Sequence, residues 1–131
     1  MLTLKFEGNP IAWKRARRNG KRYFDTQAKD KEKYAIEARI QMNGSVALIN
    51  PLSLSIRFNM PIPPSRPKYW RKNALGMGHV FTPDLDNLVK FIGDALNGIV
   101  WEDDRLIYSL KAKKIYSREP STWLEVETYD D

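Results

Sequence analysis

From Leu85 to Ile99 the apolar residues return at Leu85, Leu88, Val89, Ile92, Ala95, Leu96 and Ile99. Only a 3.6-residue period gathers all seven on one side, so the stretch is expected to fold as a helix with its stripe against a core. Thr82 and Pro83 form a start signal, a capping hydroxyl followed by a residue suited to the first turn. Asn97-Gly98 forms the stop. Asp84 and Asp86 open the helix, and Lys90 follows Asp86 by four residues, which stacks those two side chains on its other face. A short turn then delivers Glu102, Asp103 and Asp104. If the chain folds back there, two acidic clusters approach each other with a lysine beside them. Converging carboxylates repel unless a cation lies between them, and hard oxygen donors suit Mg²⁺ or Mn²⁺. The same residues have an ordinary reading too. Acids favour the positive end of a helix dipole, Asp86 and Lys90 can form a surface ion pair, and loop acids are commonly just solvated.

A chain of 131 residues favours one domain, residues 1–131, with a moderate core. It has no cysteine, so disulfides and thiolate metal sites are excluded, in agreement with a reducing cytoplasm. Met1-Leu2-Thr3-Leu4-Lys5 lacks the apolar run of a signal peptide, and no apolar run is long enough to cross a bilayer. A cytoplasmic protein without a membrane partner is therefore expected. The net charge of +6, from 22 basic and 16 acidic residues, points to a polyanion such as nucleic acid. Its distribution says more. Lys14, Arg15, Arg17, Arg18, Lys21 and Arg22 crowd one segment, and Arg66, Lys68, Arg71 and Lys72 another. Cations grouped apart from an acidic motif suit an enzyme that holds phosphates around a metal ion.

In chain order, Leu2 to Glu7 alternates as a half-buried strand. Ile11 to Asp25 reads as a basic hairpin turning at Asn19-Gly20. Trp13, Tyr23 and Phe24 lie among its cations, either to stack on unpaired bases or to anchor the hairpin on the core. A helix capped by Asp25 or Thr26 runs to about Met42, where Asn43-Gly44 ends it; its small, sparse apolar positions imply thin packing. Leu52 to Met60 is a strand. Pro61 to Thr82 has no period, and a connection of that length is commonly functional or disordered. Its cations could clamp a phosphate backbone, Tyr69 and Trp70 could pack on substrate or a second subunit, and His79, the one histidine, is expected to be incidental. Leu106 to Ile115 and Trp123 to Tyr129 are the last strands, with Asp130-Asp131 a frayed end. The expected fold class is α/β (α+β): a small domain with a mixed β-sheet, two main helices and a basic N-terminal hairpin.

Asp84-Leu85-Asp86-Asn87-Leu88-Val89-Lys90, Asp94-Ala95-Leu96-Asn97-Gly98 and Trp101-Glu102-Asp103-Asp104 together resemble the RusA family of Holliday junction resolvases. The resemblance covers roughly Pro83 to Tyr116, and the basic hairpin is similar to that of many bacterial and phage members. It implies a homodimer that binds four-way DNA junctions and nicks two opposed strands with Mg²⁺ or Mn²⁺, in recombination and repair. The catalytic acids implied are Asp84, Asp86 and Asp104, which also hold the metal, with Asp103 as the fallback for Asp104. The implied catalytic lysine is Lys90, and Asp94 is a supporting acid. The two basic segments would contact DNA phosphates. Two other classes compete: a basic nucleic-acid-binding module without catalysis, and a nucleotide phosphoryl-transfer enzyme. The absence of a GxxxxGK loop argues against the last.

Overall fold

Alternating apolar and polar residues place β1 at Leu2–Glu7, and a short hairpin follows as β2 (Arg17–Asn19) and β3 (Arg22–Phe24). Helix α1 spans Ala28–Met42, β4 Leu52–Pro61, helix α2 Lys68–Ala74 and helix α3 Leu85–Leu96. One turn of 3-10 helix at Asp104–Leu106 leads into β5 (Ile107–Ser117), and β6 (Ser121–Thr128) closes the chain. These elements come from a computed structural model that describes residues 1–128. The strands form a mixed sheet in the order β1-β6-β4-β5, with β4 and β5 parallel and the other pairs antiparallel. The fold is mixed α+β, as the alternation and periodicity imply.

Alternate strand residues such as Leu4, Phe6, Ile56, Phe58, Leu124 and Val126 are buried on one face of the sheet. Leu88, Phe91, Ile92, Ala95 and Leu96 of α3 join the same core. From α1, Tyr34 stacks on Phe6 with ring centroids 4.6 Å apart and meets Phe91 edge-on at 5.2 Å. One aromatic therefore ties α1 to both sheet and α3, and α1 packs more firmly than its sparse apolar residues suggest. The other face of the sheet is polar. There Lys5 and Arg57 each lie 5.1 Å from the Trp123 ring centroid.

Several expected boundaries move. Helix α3 begins at Leu85 with Asp84, not Thr82, in the N-cap position, and the Thr82-Pro83 peptide is cis. Helix α1 begins at Ala28 with Gln27 in the N-cap position; Asp25 instead accepts the Gln27 backbone N–H at 2.8 Å. The hairpin is far shorter than Ile11 to Asp25, because residues 11–16 are irregular chain, with Ile11, Ala12 and Trp13 packed against the core. Its turn centres on Gly20-Lys21, with Gly20 taking the positive φ of 63°. The Pro61 to Thr82 connection contains α2, too short for its periodicity to show. Strands β5 and β6 do not pair with each other, since β4 lies between them. As the edge strand, β5 leaves Tyr108 and Leu110 exposed despite their alternation. The expected end of the last strand at Tyr129, and the Asp130-Asp131 terminus, lie outside the described residues.

Candidate active site

Helix α3 carries one side of the site. Asp84 is exposed at its N-cap and its carboxylate makes no capping hydrogen bond. Asp86, in the first turn, accepts only the neighbouring Asn87 N–H among the described residues, at 3.0 Å. The approach to Asp84 is fastened from β5. The Lys114 ammonium donates to the Phe81 carbonyl at 2.5 Å and the Pro83 carbonyl at 2.6 Å.

Asp104 enters from the other side, and two groups fix it. Its Oδ1 accepts the indole N–H of Trp101 at 2.7 Å, and Trp101 is completely buried. Its backbone N–H donates to Asn97 Oδ1 at 3.0 Å. Its Oδ2 lies 3.8 Å from where a Cβ on Gly93 would stand. Residues 86, 90, 93 and 97 are spaced by four, three and four, so they form one stripe of α3. Asp104 therefore covers the C-terminal end of the stripe that begins at Asp86 and passes Lys90. Asp103 does something else. It caps the 3-10 turn, accepting the Arg105 N–H at 3.0 Å, with the Arg105 Nε 3.8 Å away.

Lys90 does not pair with Asp86. Its ammonium stands 3.6 Å from the centroid of the Trp13 ring, a close cation–π contact. Asp94 reaches across to Lys31 of α1 at 4.0 Å, so it joins two helices and stands apart from the other acids.

The two acidic clusters do not close into a cage. Among the described residues, no three His, Asp or Glu side chains stand close enough to hold a metal ion together. Helical rise explains this. Gly93, where Asp104 docks, is seven residues beyond Asp86, about 10 Å along the axis, and helical side chains lean toward the N-terminus, away from Asp104. The donors still fit a hard cation in kind. Mg²⁺ is usually held by one or two carboxylates and completed by substrate phosphates and waters, without a full protein cage.

The expected DNA-contacting cations divide in two. Lys14, Arg15, Arg17, Arg18, Lys21 and Arg22 are all exposed, as are Tyr23 and Phe24 beside them, while Trp13 packs inward. Lys68, Arg71 and Lys72 are exposed on α2. Arg66 lies 4.8 Å from the Trp70 ring centroid and 5.8 Å from that of Phe81. Trp70 meets Tyr116 edge-on at 5.5 Å, so it packs on its own chain, whereas Tyr69 is 71% exposed. His79 tilts against Tyr116 at 4.9 Å, and burial with the nearby Lys114 charge pushes its pKa below the usual imidazole value.

The sequence offers Trp13 as a stacking or anchoring aromatic and Asn97 as a helix stop, and it passes over Lys114. Asn97 carried a further signal in its type, since asparagine side chains bond nearby backbone. The place of Trp13 beside Lys90 and of Lys114 behind Asp84 carried none, because each meets the site only through the tertiary fold.

The family model described as endodeoxyribonuclease RusA matches residues 7–127. A protein of Bacillus subtilis (strain 168), described as the uncharacterized protein YqaN, is 34% identical over 122 residues, covering 86% of each chain.

Proposed function

Since this chain belongs to the RusA family of Holliday-junction-resolving endodeoxyribonucleases, we propose that it cuts four-way DNA junctions by paired, metal-dependent nicks in opposed strands. In this reading Asp84, Asp86 and Asp104 are the residues that would hold Mg²⁺ or Mn²⁺, which when bound would supply an acidified water and offset charge on the phosphate. Lys90 places a fixed positive charge against the phosphate oxygens as negative charge grows on them. Asp104 is favoured over Asp103 because its Oδ2 makes no hydrogen bond among the described residues, while Asp103 is occupied with its own turn. The exposed cations of residues 14–22 and of α2 would hold the junction arms through phosphates. A homodimer would match the near two-fold symmetry of a four-way junction, one site for each nick. The work belongs to recombination and repair of DNA in the cytoplasm.

The observation that carries this reading is the single stripe of α3 that presents Asp86 and Lys90, with Asp104 fixed over its far end by Trp101 and Asn97. The separation of the acids favours one other reading, a basic junction-binding module without catalysis.

Strand cleavage of an end-labelled four-way junction decides between them, with linear duplex as control and with Mg²⁺, Mn²⁺ or EDTA. Paired nicks on the junction are expected with either metal, lost in EDTA and in Asp86→Asn while binding persists. Tight binding without cleavage in any metal would leave only the module. Equal cutting of duplex and junction would keep the nuclease and discard its selectivity.

A further inference from the structure

Trp13 belongs to the irregular segment between β1 and the hairpin, yet three hydrogen bonds hold that segment as firmly as a strand. The buried side chain of Gln27 grips both flanks: its Nε2 donates to the Ala12 carbonyl at 2.8 Å, and its Oε1 accepts the Lys14 N–H at 2.9 Å. The Trp13 N–H itself donates to the Asn87 carbonyl of α3 at 2.9 Å. The indole is thereby pinned to the helix one turn from Lys90, and the Lys90 ammonium settles 3.6 Å from its centroid. A lysine has four rotatable carbons and a strongly hydrated head, so an exposed one samples many positions. Lys90 makes no ion pair among the described residues.

We propose that Trp13 is the positioning residue for Lys90, a π-face built from the N-terminal segment that fixes where the ammonium meets the scissile phosphate. This rests on the nuclease reading of the α3 stripe, and it adds a consequence. The segment that places Trp13 continues directly into the cations of residues 14–22, so DNA held by the hairpin and the charge over α3 share one anchor, Gln27. An aromatic face in this place also selects its occupant: it attracts a cation and offers no hydrogen bond to compete with the phosphate.

The test has one arm on geometry and one on rate, run on the full chain. By NMR, the ε-methylene protons of Lys90, identified by their loss in Lys90→Gln, should lie upfield of those of exposed lysines, shifted by the indole ring current. The shift should vanish in Trp13→Leu while the amide resonances of α3 stay in place. In single-turnover cleavage, Trp13→Leu should be slower by about tenfold with junction affinity little changed, and Trp13→Phe should remain within about threefold of the wild type. In a Lys90→Gln background, Trp13→Leu should slow cleavage no further.

Lys90 protons at ordinary shifts in the wild type would overturn the proposal, because the contact would not exist in solution. Wild-type cleavage rates in Trp13→Leu would overturn the positioning role and leave the nuclease reading intact. An equal loss with and without Lys90, or a loss confined to affinity, would show Trp13 acting on DNA directly and would also overturn it. A wild-type protein that cuts no junction in any metal would remove the parent reading, and the positioning role with it.

Discussion

Gly93 is where the size of one side chain sets access to a carboxylate. A glycine in a helix interior costs about 1 kcal/mol relative to alanine. Here the missing side chain leaves Asp104 room to lie against α3, and a methyl group would stand 3.8 Å from its Oδ2, an ordinary contact. Gly93→Ala should therefore raise unfolding stability by roughly 0.5–1 kcal/mol in urea titration and leave metal-dependent cleavage near wild type. Gly93→Leu should keep the fold and lose cleavage, since a branched side chain would cover the carboxylate. Trp101 makes the reciprocal case. Trp101→Phe preserves most of the core volume but removes the N–H that fixes Asp104. Its stability should fall by about 1–2 kcal/mol, with a larger loss in cleavage than in junction binding.

At the scale of elements, β5 does more for α3 than share a core with it. Lys114 bonds two carbonyls of the loop that ends at Asp84, while Lys114 O accepts the His79 N–H at 3.0 Å. Lys114→Met should lower stability by roughly 2 kcal/mol and slow cleavage, because Asp84 would lose its tether. The same contacts set a pH dependence. Burial and the Lys114 charge both disfavour protonated His79. A folded-state pKa below the unfolded value of 6.5 adds stability above that value, and the gain is lost as pH falls through the lower folded pKa. The melting temperature should therefore drop from pH 7 toward pH 5, and drop less in His79→Phe, which keeps a ring against Tyr116. It is the backbone of His79, not its imidazole, that bonds the strand carrying Lys114.

Over the whole molecule, the two crowded groups of cations and the candidate acidic site occupy different elements, the first on residues 14–22 and around α2, the second on α3 and the turn before β5. Replacing Arg17, Arg18 and Arg22 together by alanine should flatten the plot of log binding constant against log salt by about 0.9 for each phosphate left unneutralised. The fold should be unaffected, because all three are exposed. The extent of this design that could be read along the chain follows from the range of each interaction. Helix α3, its stop at Asn97-Gly98, β1, β4 and β6 were legible because their apolar periods repeat within the element. The motif residues were legible because their spacing is local, and so was the crowding of cations. Helix α2 was not, since seven residues hold too few turns to show a period. The true start of α3 was hidden as well, because the tether that holds residues 81–83 comes from Lys114, more than thirty residues further on. Interactions a few residues long thus set which groups are available for chemistry and which faces are apolar, and these can be read from the order of residues. Tertiary packing set the rest: Asp104 stands at Gly93 and not beside Asp86, Lys90 rests on Trp13, and β4 separates β5 from β6. Each of those outcomes joins different elements, where packing and not spacing selects the partner.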